Sequence, residues 1–330
     1  MMLPRLDLLV AWLTTGCQLR CRYCYMRAGD VARRDLKPSL FAQALATLPF
    51  RPGAELQIAG GEPTMVPDIL ADIVGQARRA GFKRIGIQTN GLSIDDRFIS
   101  LVRDHQIGVG VSLDGPPEVN DVWRGRTADV LAGLRRLDEA RIPFGITTVV
   151  TKDSLSTLPR LAMLLAGFTQ ARSIGLDVLR PAGRGQAADL PSPSDVAKAH
   201  LDLAAALAWI NRHREQRLTL REDGMVGCGP VDAYCPAEKG TSVVLLPSGE
   251  LYPCSSLTGA PEHACGTVAH PDLDALARGL CAPKPGCASC AVENCRGRCP
   301  SRAVMSSRAA AIDCAFRHAA HRKGTPHVQA

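Results

Sequence analysis

The chain has 330 residues, 46% of them hydrophobic and 22% charged, which is enough for two ordinary domains or for one large barrel with an appendage. A mean hydropathy near zero excludes wholesale disorder and a polytopic membrane protein. The net charge is +7, but with Arg and Lys scattered among Asp and Glu there is no nucleic-acid arm, and with no apolar run of membrane length neither nucleic acid nor membrane is expected as a partner.

From Leu6 to about Arg180, short β-type runs alternate with helix-type segments. The strands are expected at 6–14, 55–59, 84–89, 107–113, 144–150 and 173–179. Helices are expected at 39–48, 67–80, 95–105, 128–141 and 155–168, several of them opening on Ser, Asp or Pro suited to caps or first turns. Such alternation predicts an α/β fold, a partial (β/α)6 parallel barrel, with the chemistry on loops leaving the C-terminal ends of the strands. Cys17, Gly60, Asn90 and Asp114 follow the first four strands in turn. The Gly- and Pro-rich stretch 180–193 reads as a loop leading out of the barrel, and a long helix is expected at 194–216. One hairpin is predicted beyond it, 241–246 returning as 250–252. The expected division is a barrel over 1–192, a helical linker over 193–222 and a small Cys-rich domain over 223–330.

Cysteine is the compositional anomaly, with 13 residues, ten of them between Cys228 and Cys314. Disulfides need an oxidising compartment reached through a signal peptide. The apolar start is interrupted by Asp7 and lacks a small-residue cleavage site, so it reads as a buried strand. A cytoplasmic, reducing location is expected, where dense Cys means metal or redox chemistry. Cys17, Cys21 and Cys24 form C-x3-C-x2-C after the first strand. Three thiolates can hold three irons of a four-iron four-sulfur cluster and leave the fourth open. A zinc site completed by a distant Cys is the alternative, although such sites usually use paired C-x2-C units.

The triad, with Tyr23 just before its last Cys, resembles the signature of the radical S-adenosylmethionine (SAM) superfamily. The run Gly60-Gly61-Glu62-Pro63 after the second strand is similar to that family's GGEP segment, Ser112 and Asp114 to its ribose-contacting positions, and Asp121 with Arg124 to an Asp-x-x-Arg element. The resemblance implies SAM bound at the open iron and cleaved to a 5′-deoxyadenosyl radical, with Arg124 reaching the SAM carboxylate. The C-terminal spacing resembles the SPASM extension, so three [4Fe-4S] clusters are implied. By family topology, Cys228, Cys235, Cys254 and Cys299 would hold the nearer auxiliary cluster, and Cys287, Cys290, Cys295 and Cys314 the farther one. Cys265 and Cys281 are left as spectators.

Relatives with both extension clusters mostly modify ribosomally made peptides or proteins by crosslinking, decarboxylation or side-chain oxidation, so a peptide or protein substrate is the leading expectation. An electron donor such as flavodoxin or ferredoxin is implied. Because the barrel begins within the first ten residues, substrate capture is expected to use its own loops or a separate leader-recognition protein. Ser255 stands after Cys254 where sulfatase-maturing relatives place an Asp base, which disfavours that reaction. Asp177 and Asp223 are the acids considered as a base, and no catalytic residue is assigned. The alternatives are a small-molecule substrate, such as a tetrapyrrole or an aminoglycoside-like alcohol, and a non-catalytic zinc or iron-sulfur scaffold.

Overall fold

The computed structural model describes residues 5–221, 233–280, 287, 289, 290, 292, 295 and 297–322. Cys228 and Asp223 lie outside the described residues. In chain order the first elements are β1 (Leu6–Trp12), α1 (Pro38–Thr47), β2 (Phe50–Ala59), α2 (Pro67–Arg79), β3 (Arg84–Thr89), α3 (Asp96–Asp104) and β4 (Gly108–Ser112). Next come α4 (Pro117–Trp123), α5 (Thr127–Glu139), β5 (Phe144–Val150), α6 (Leu158–Ala166), β6 (Ala171–Val178), α7 (Pro193–Ile210) and β7 (Thr219–Arg221). The chain closes with β8 (Ser242–Leu245), β9 (Leu251–Tyr252), α8 (Leu273–Arg278), α9 (Pro300–Met305) and α10 (Ser307–Arg322).

One nine-stranded sheet runs β7-β6-β5-β4-β3-β2-β1-β8-β9, parallel throughout except for the β8–β9 pair. The curved parallel array with helices on its outer side is the α/β partial barrel that the alternation predicts. Several features depart from the sequence reading. The expected hairpin does form, but β8 also pairs in parallel with β1, Val10 opposite Val244, so the Cys-rich end extends the barrel sheet. The long helix ends at Ile210, where Asn211 turns back and exchanges hydrogen bonds with the Leu218 main chain at 2.8 and 2.9 Å. The short helix α4 is one that apolar periodicity does not announce.

The two faces of the sheet differ, because side chains alternate along a strand. Leu56, Ile58, Ile85, Ile87, Val109, Val111 and Ile146 point outward into the core beneath the helices. The opposite face carries Gln57, Gln88, Ser112, Thr147, Ser173 and Arg221, interleaved with glycines. Gly86 lies beneath the Gln57 amide, where a Cβ would stand 2.6 Å from Oε1, and Gly110 lies beneath Gln88 at 2.5 Å. Gly145 and Gly175 sit likewise beneath Ser173 and Arg221. Closed barrels fill this space with bulky branched side chains. Here long polar groups lie flat on glycine, and the β1–β8–β9 side is apolar, with Trp12, Val244 and Tyr252 packed together. Among the described residues no helix is long and apolar enough to cross a membrane.

Candidate functional site

The loop after β1 carries the first three cysteines, with Cys21 buried and Cys17 and Cys24 half-buried. Local hydrogen bonds fold it tightly: Cys24 N donates to the Cys21 carbonyl at 3.2 Å, and Arg27 N to the Cys24 carbonyl at 3.1 Å. Burial pushes the Cys17 thiol up to about 11, against a 3.4 Å hydrogen bond from the Leu19 amide, and Cys17 also feels the charge of Cys21. Burial raises Cys21 too, opposed by the Arg124 charge, and Cys24 acts on it electrostatically. The three thiols therefore share one environment with a guanidinium. Among the described residues no three Cys, His, Asp or Glu side chains converge as ligands of a single ion do. Ligands that each take a different iron of a cluster have no need to.

The GGEP loop is moulded onto the cysteine loop. Gly61 N donates to the Thr14 carbonyl at 2.7 Å and Glu62 N to the Gly16 carbonyl at 2.9 Å. A Cβ on Gly61 would lie 2.0 Å from the Gly16 oxygen, and Gly60 adopts φ +133°, so both positions demand glycine. The Glu62 carboxylate is surrounded by protein donors. Its Oε1 accepts from Thr64 N, Thr64 Oγ1 and Thr89 Oγ1 at 3.1, 2.8 and 2.7 Å, and its Oε2 accepts from Asn90 N at 2.6 Å. Burial still outweighs these bonds and raises the carboxyl above its ordinary value. Glu62 thus pins the end of β3 to the loop after β2. Pro63 starts the short 3-10 turn that carries Thr64. Asn90, placed by that pin, donates through Nδ2 to Gln18 Oε1 at 3.2 Å and approaches Cys17 Sγ at 3.8 Å.

At the end of β4, Ser112 Oγ accepts from Gln88 Nε2 at 2.9 Å on the polar face. Asp114 is fully buried and accepts from the Tyr23 hydroxyl and, at 2.9 Å, from Val149 N. Burial raises its carboxyl above the usual range, and the Arg124 charge opposes this. Arg124 Nη1 donates to Tyr23 Oη at 2.6 Å, and the Tyr23 ring stacks on Trp123 with centroids 6.1 Å apart. Arg124 Nε is buried without a hydrogen-bond partner. Asn120 and Asp121 are structural: Asn120 joins Asp114 N to Thr127 Oγ1 at 3.0 and 2.8 Å, and Asp121 Oδ1 accepts from Thr127 N at 2.8 Å. The structure therefore gathers Cys17, Cys21, Cys24, the GGEP loop, Asp114 and Arg124 around one mouth.

The C-terminal cysteines form two neighbourhoods. Burial pushes the Cys235 thiol up to about 11, and Cys299 and Cys254 act on it electrostatically. Cys314 is half-buried and its thiol is raised, first by burial, with Arg298, Cys287 and Cys295 acting on it. Cys290 is exposed beside His318, with Sγ 3.6 Å from Nε2. Cys265 is buried in the core, its thiol pushed up to about 11 by burial. Asp177 is not a free base. It pairs with Arg180 at 2.5 Å and with Arg302 at 2.7 Å, and Arg302 pairs again with Asp313 at 2.7 Å, whose Oδ2 accepts from Cys299 N at 3.1 Å.

Sequence reasoning passed over Arg184. The loop read as leading out of the barrel instead folds back on the triad, with Arg184 N donating to the Cys24 carbonyl at 3.0 Å. Its only local signal is a lone Arg between Gly183 and Gly185.

The model of the Radical SAM superfamily matches residues 13–165. An uncharacterized protein of Methanocaldococcus jannaschii is 28% identical over 261 residues, 76% of this chain and 85% of that protein. The Fe-coproporphyrin III synthase of Methanosarcina barkeri is 32% identical over 162 residues, but the match spans only 40% of its length and 47% of this chain. Among solved structures, anSMEcpe with bound AdoMet and Kp18Cys peptide superposes with a TM-score of 0.75 at 18% identity, covering 97% of this chain and 98% of the other. Streptococcus suis SuiB bound to its precursor peptide SuiA gives 0.67 at 16% identity, covering 92% and 74%. Residues 13–165 are thus a radical SAM domain, and the chain shares the overall fold of anSMEcpe and SuiB.

Proposed function

We propose that the protein reductively cleaves SAM at a [4Fe-4S] cluster held by Cys17, Cys21 and Cys24 and uses the radical to oxidise a ribosomally made peptide or protein. When bound, cluster and SAM supply a 5′-deoxyadenosyl radical that takes hydrogen from the substrate. A radical SAM domain carries one such cluster and SAM with it. The observation that carries the reading is the Arg124 guanidinium, which acts on Cys21 electrostatically and keeps one buried donor, Nε, without a partner. A guanidinium presents its donors as a fork suited to a carboxylate. The chain's own residues fit that ligand. Arg124 receives its carboxylate, Gly60 and Gly61 let the GGEP main chain close on the cysteine loop so that both border the ligand, and Ser112 offers a hydroxyl at the mouth. Tyr23 with Asp114, and Glu62 with Asn90, hold these loops in place.

The substrate would lie on the glycine-floored inner face, which carries the hydrogen-bonding groups of Gln57, Gln88, Ser112 and Thr147 where a closed barrel has branched apolar side chains. Peptide-bound solved neighbours sharing the whole fold support a peptide. A tetrapyrrole is the second reading, supported by the likeness to Fe-coproporphyrin III synthase and by an inner wall that is apolar at Trp12 and Tyr252 and polar at Gln57 and Gln88. In our reading residues 1–192 form the catalytic barrel, 193–222 link, and 223–330 hold two auxiliary clusters, the nearer on Cys228, Cys235, Cys254 and Cys299 and the farther on Cys287, Cys290, Cys295 and Cys314. A flavodoxin or ferredoxin supplies electrons.

Anaerobic reconstitution should give about 12 irons per chain by ligand count. About four irons with stoichiometric zinc would sink the auxiliary-cluster part. Incubation with SAM, reductant and either precursor peptides or coproporphyrins, read by mass spectrometry, separates the two substrate readings.

A further inference from the structure

The wall between the first cysteine loop and the C-terminal segment carries two donors that the fold does not use. Arg180 follows β6 and reaches across the mouth to Tyr25, the residue after Cys24, with its Cζ 5.6 Å from the centre of the Tyr25 ring. Three contacts fix the guanidinium: Nη1 pairs with Asp177 at 2.5 Å, Nε donates to Ser256 Oγ, and the cation sits over the Tyr25 ring. The remaining nitrogen, Nη2, meets no acceptor among the described residues, and the Tyr25 hydroxyl has no hydrogen-bond partner among them. Neither atom is sealed from solvent, since 17% of the Arg180 side chain is exposed and Tyr25 is half-buried. Around them stands the apolar side of the mouth, with the Trp12 ring 6.4 Å from that of Tyr25 and with Met26 and Tyr252 nearby. Trp12 Nε1 donates to Ser255 Oγ at 3.4 Å, so the wall runs from Cys24 to the residues next to Cys254, and both thiols act on Tyr25 electrostatically.

We propose that Arg180 and Tyr25 form a specificity subsite that holds a carboxylate of the substrate at the barrel mouth. The inference deepens the functional reading above and rests on it, because it takes this mouth as the place where the substrate meets the radical. The chemistry of the wall selects the group. A guanidinium offers donors and no acceptor, and a carboxylate accepts from two donors at once. A neutral carbonyl would use the same hydrogen bonds without the charge, and partial burial makes the charge count for more than it does in water. The apolar neighbours suit a hydrocarbon stem leading to that carboxylate. In the peptide reading the group is the side chain of a Glu or Asp, and in the tetrapyrrole reading it is a propionate.

The test measures preference for acid over amide on the reconstituted enzyme with SAM bound. Two probe pairs are used: acetylated peptide libraries randomised about a fixed central Glu or Gln, and coproporphyrin III against its tetra-amide. The parent should bind the acid of one pair on the order of tenfold tighter, the worth of one charge-assisted hydrogen bond, and the pair that shows it identifies the source of the carboxylate. Arg180→Gln should erase the preference, Arg180→Lys should keep part of it, and Tyr25→Phe should reduce it severalfold. Both members of a pair meet the same preparation, so a variant with fewer folded molecules loses affinity for both and leaves their ratio unchanged. Asp177→Asn breaks the same ion pair but keeps the donors, so the preference should persist. Its loss there, as complete as in Arg180→Gln, would make Arg180 a structural clamp. An undiminished preference in Arg180→Gln, or a parent that prefers neither acid, would overturn the subsite. Parent enzyme that yields no 5′-deoxyadenosine from SAM and dithionite fails the functional reading itself, and product analysis of the same preparation reports this separately.

Discussion

Arg184 Nε donates to the main-chain carbonyl of Cys21 at 2.9 Å, so a side chain from the loop after β6 fastens the cysteine loop after β1. The same guanidinium donates to the Ala28 carbonyl at 3.2 and 3.3 Å and pairs with Asp30. Three cysteines on a short loop hold a metal group only as well as the loop keeps its shape, and this clasp closes the barrel's two ends over it. Arg184→Ala should cost about 1–3 kcal/mol through carbonyls left without their donor. The specific outcome expected is faster loss of iron to a chelator from the first cluster than from the auxiliary ones. Equal loss from all would mean that Arg184 does not act on the triad.

Asp177 joins the barrel to the C-terminal segment through Arg180 and Arg302. Burial pushes its carboxyl up, but the two guanidiniums outweigh burial and hold it below the ordinary value. A depressed carboxyl contributes stability that is complete above its unfolded value of about 3.9 and is lost as pH falls through the folded one. Asp177→Asn leaves two cations facing each other and should cost about 3 kcal/mol at neutral pH, the low end for a broken buried pair because the Asp177 side chain keeps 23% of its exposure. The gap between parent and variant in urea midpoints should narrow as pH drops below about 4. A gap independent of pH would show that the charge is not what matters.

Strand and helix positions were legible because period-2 and period-3.6 patterns are local, and Arg84–Thr89 and Phe144–Val150 match the expected strands end to end. The triad was legible for the same reason, since its spacing is its signal. Glu62 and Asp114 show the limit. Sequence placed both at the mouth, but beyond the local Thr64 their oxygens are taken by Thr89 and Asn90 for Glu62 and by Tyr23 and Val149 for Asp114, partners distant in the chain that no local pattern announces. Arg184 was invisible for a related reason: its partners lie more than 150 residues earlier in the chain. The pairing of β8 with β1 is equally long-range, and so the Cys-rich end looked more separate than it is.

Replacing Cys17, Cys21 and Cys24 together by Ala should abolish reductive SAM cleavage while about eight of about 12 irons remain, because these thiols and the C-terminal ones occupy different neighbourhoods. Production of 5′-deoxyadenosine at the parent rate by the triple variant would place the active cluster elsewhere.

Arg124 gives the sharpest test of where SAM sits. Its Nη1 is engaged by Tyr23 at 2.6 Å while its Nε is buried and unpaired, an expensive condition unless a ligand completes it. Arg124→Lys keeps the charge but loses the fork, and the affinity for SAM should fall on the order of tenfold, the worth of one charge-assisted hydrogen bond. Arg124→Ala should lose on the order of a hundredfold. Tyr23→Phe serves as the control: it removes the Nη1 partner and the bond to Asp114 but leaves Nε in reach, so SAM binding should drop less than in Arg124→Lys. Equilibrium binding to the oxidised, reconstituted protein measures this without turnover, and the iron absorbance of each variant verifies that the triad is still loaded. Parent-like affinity in iron-replete Arg124→Lys and Arg124→Ala would remove Arg124 from the SAM site and leave it as the clamp on Tyr23 alone.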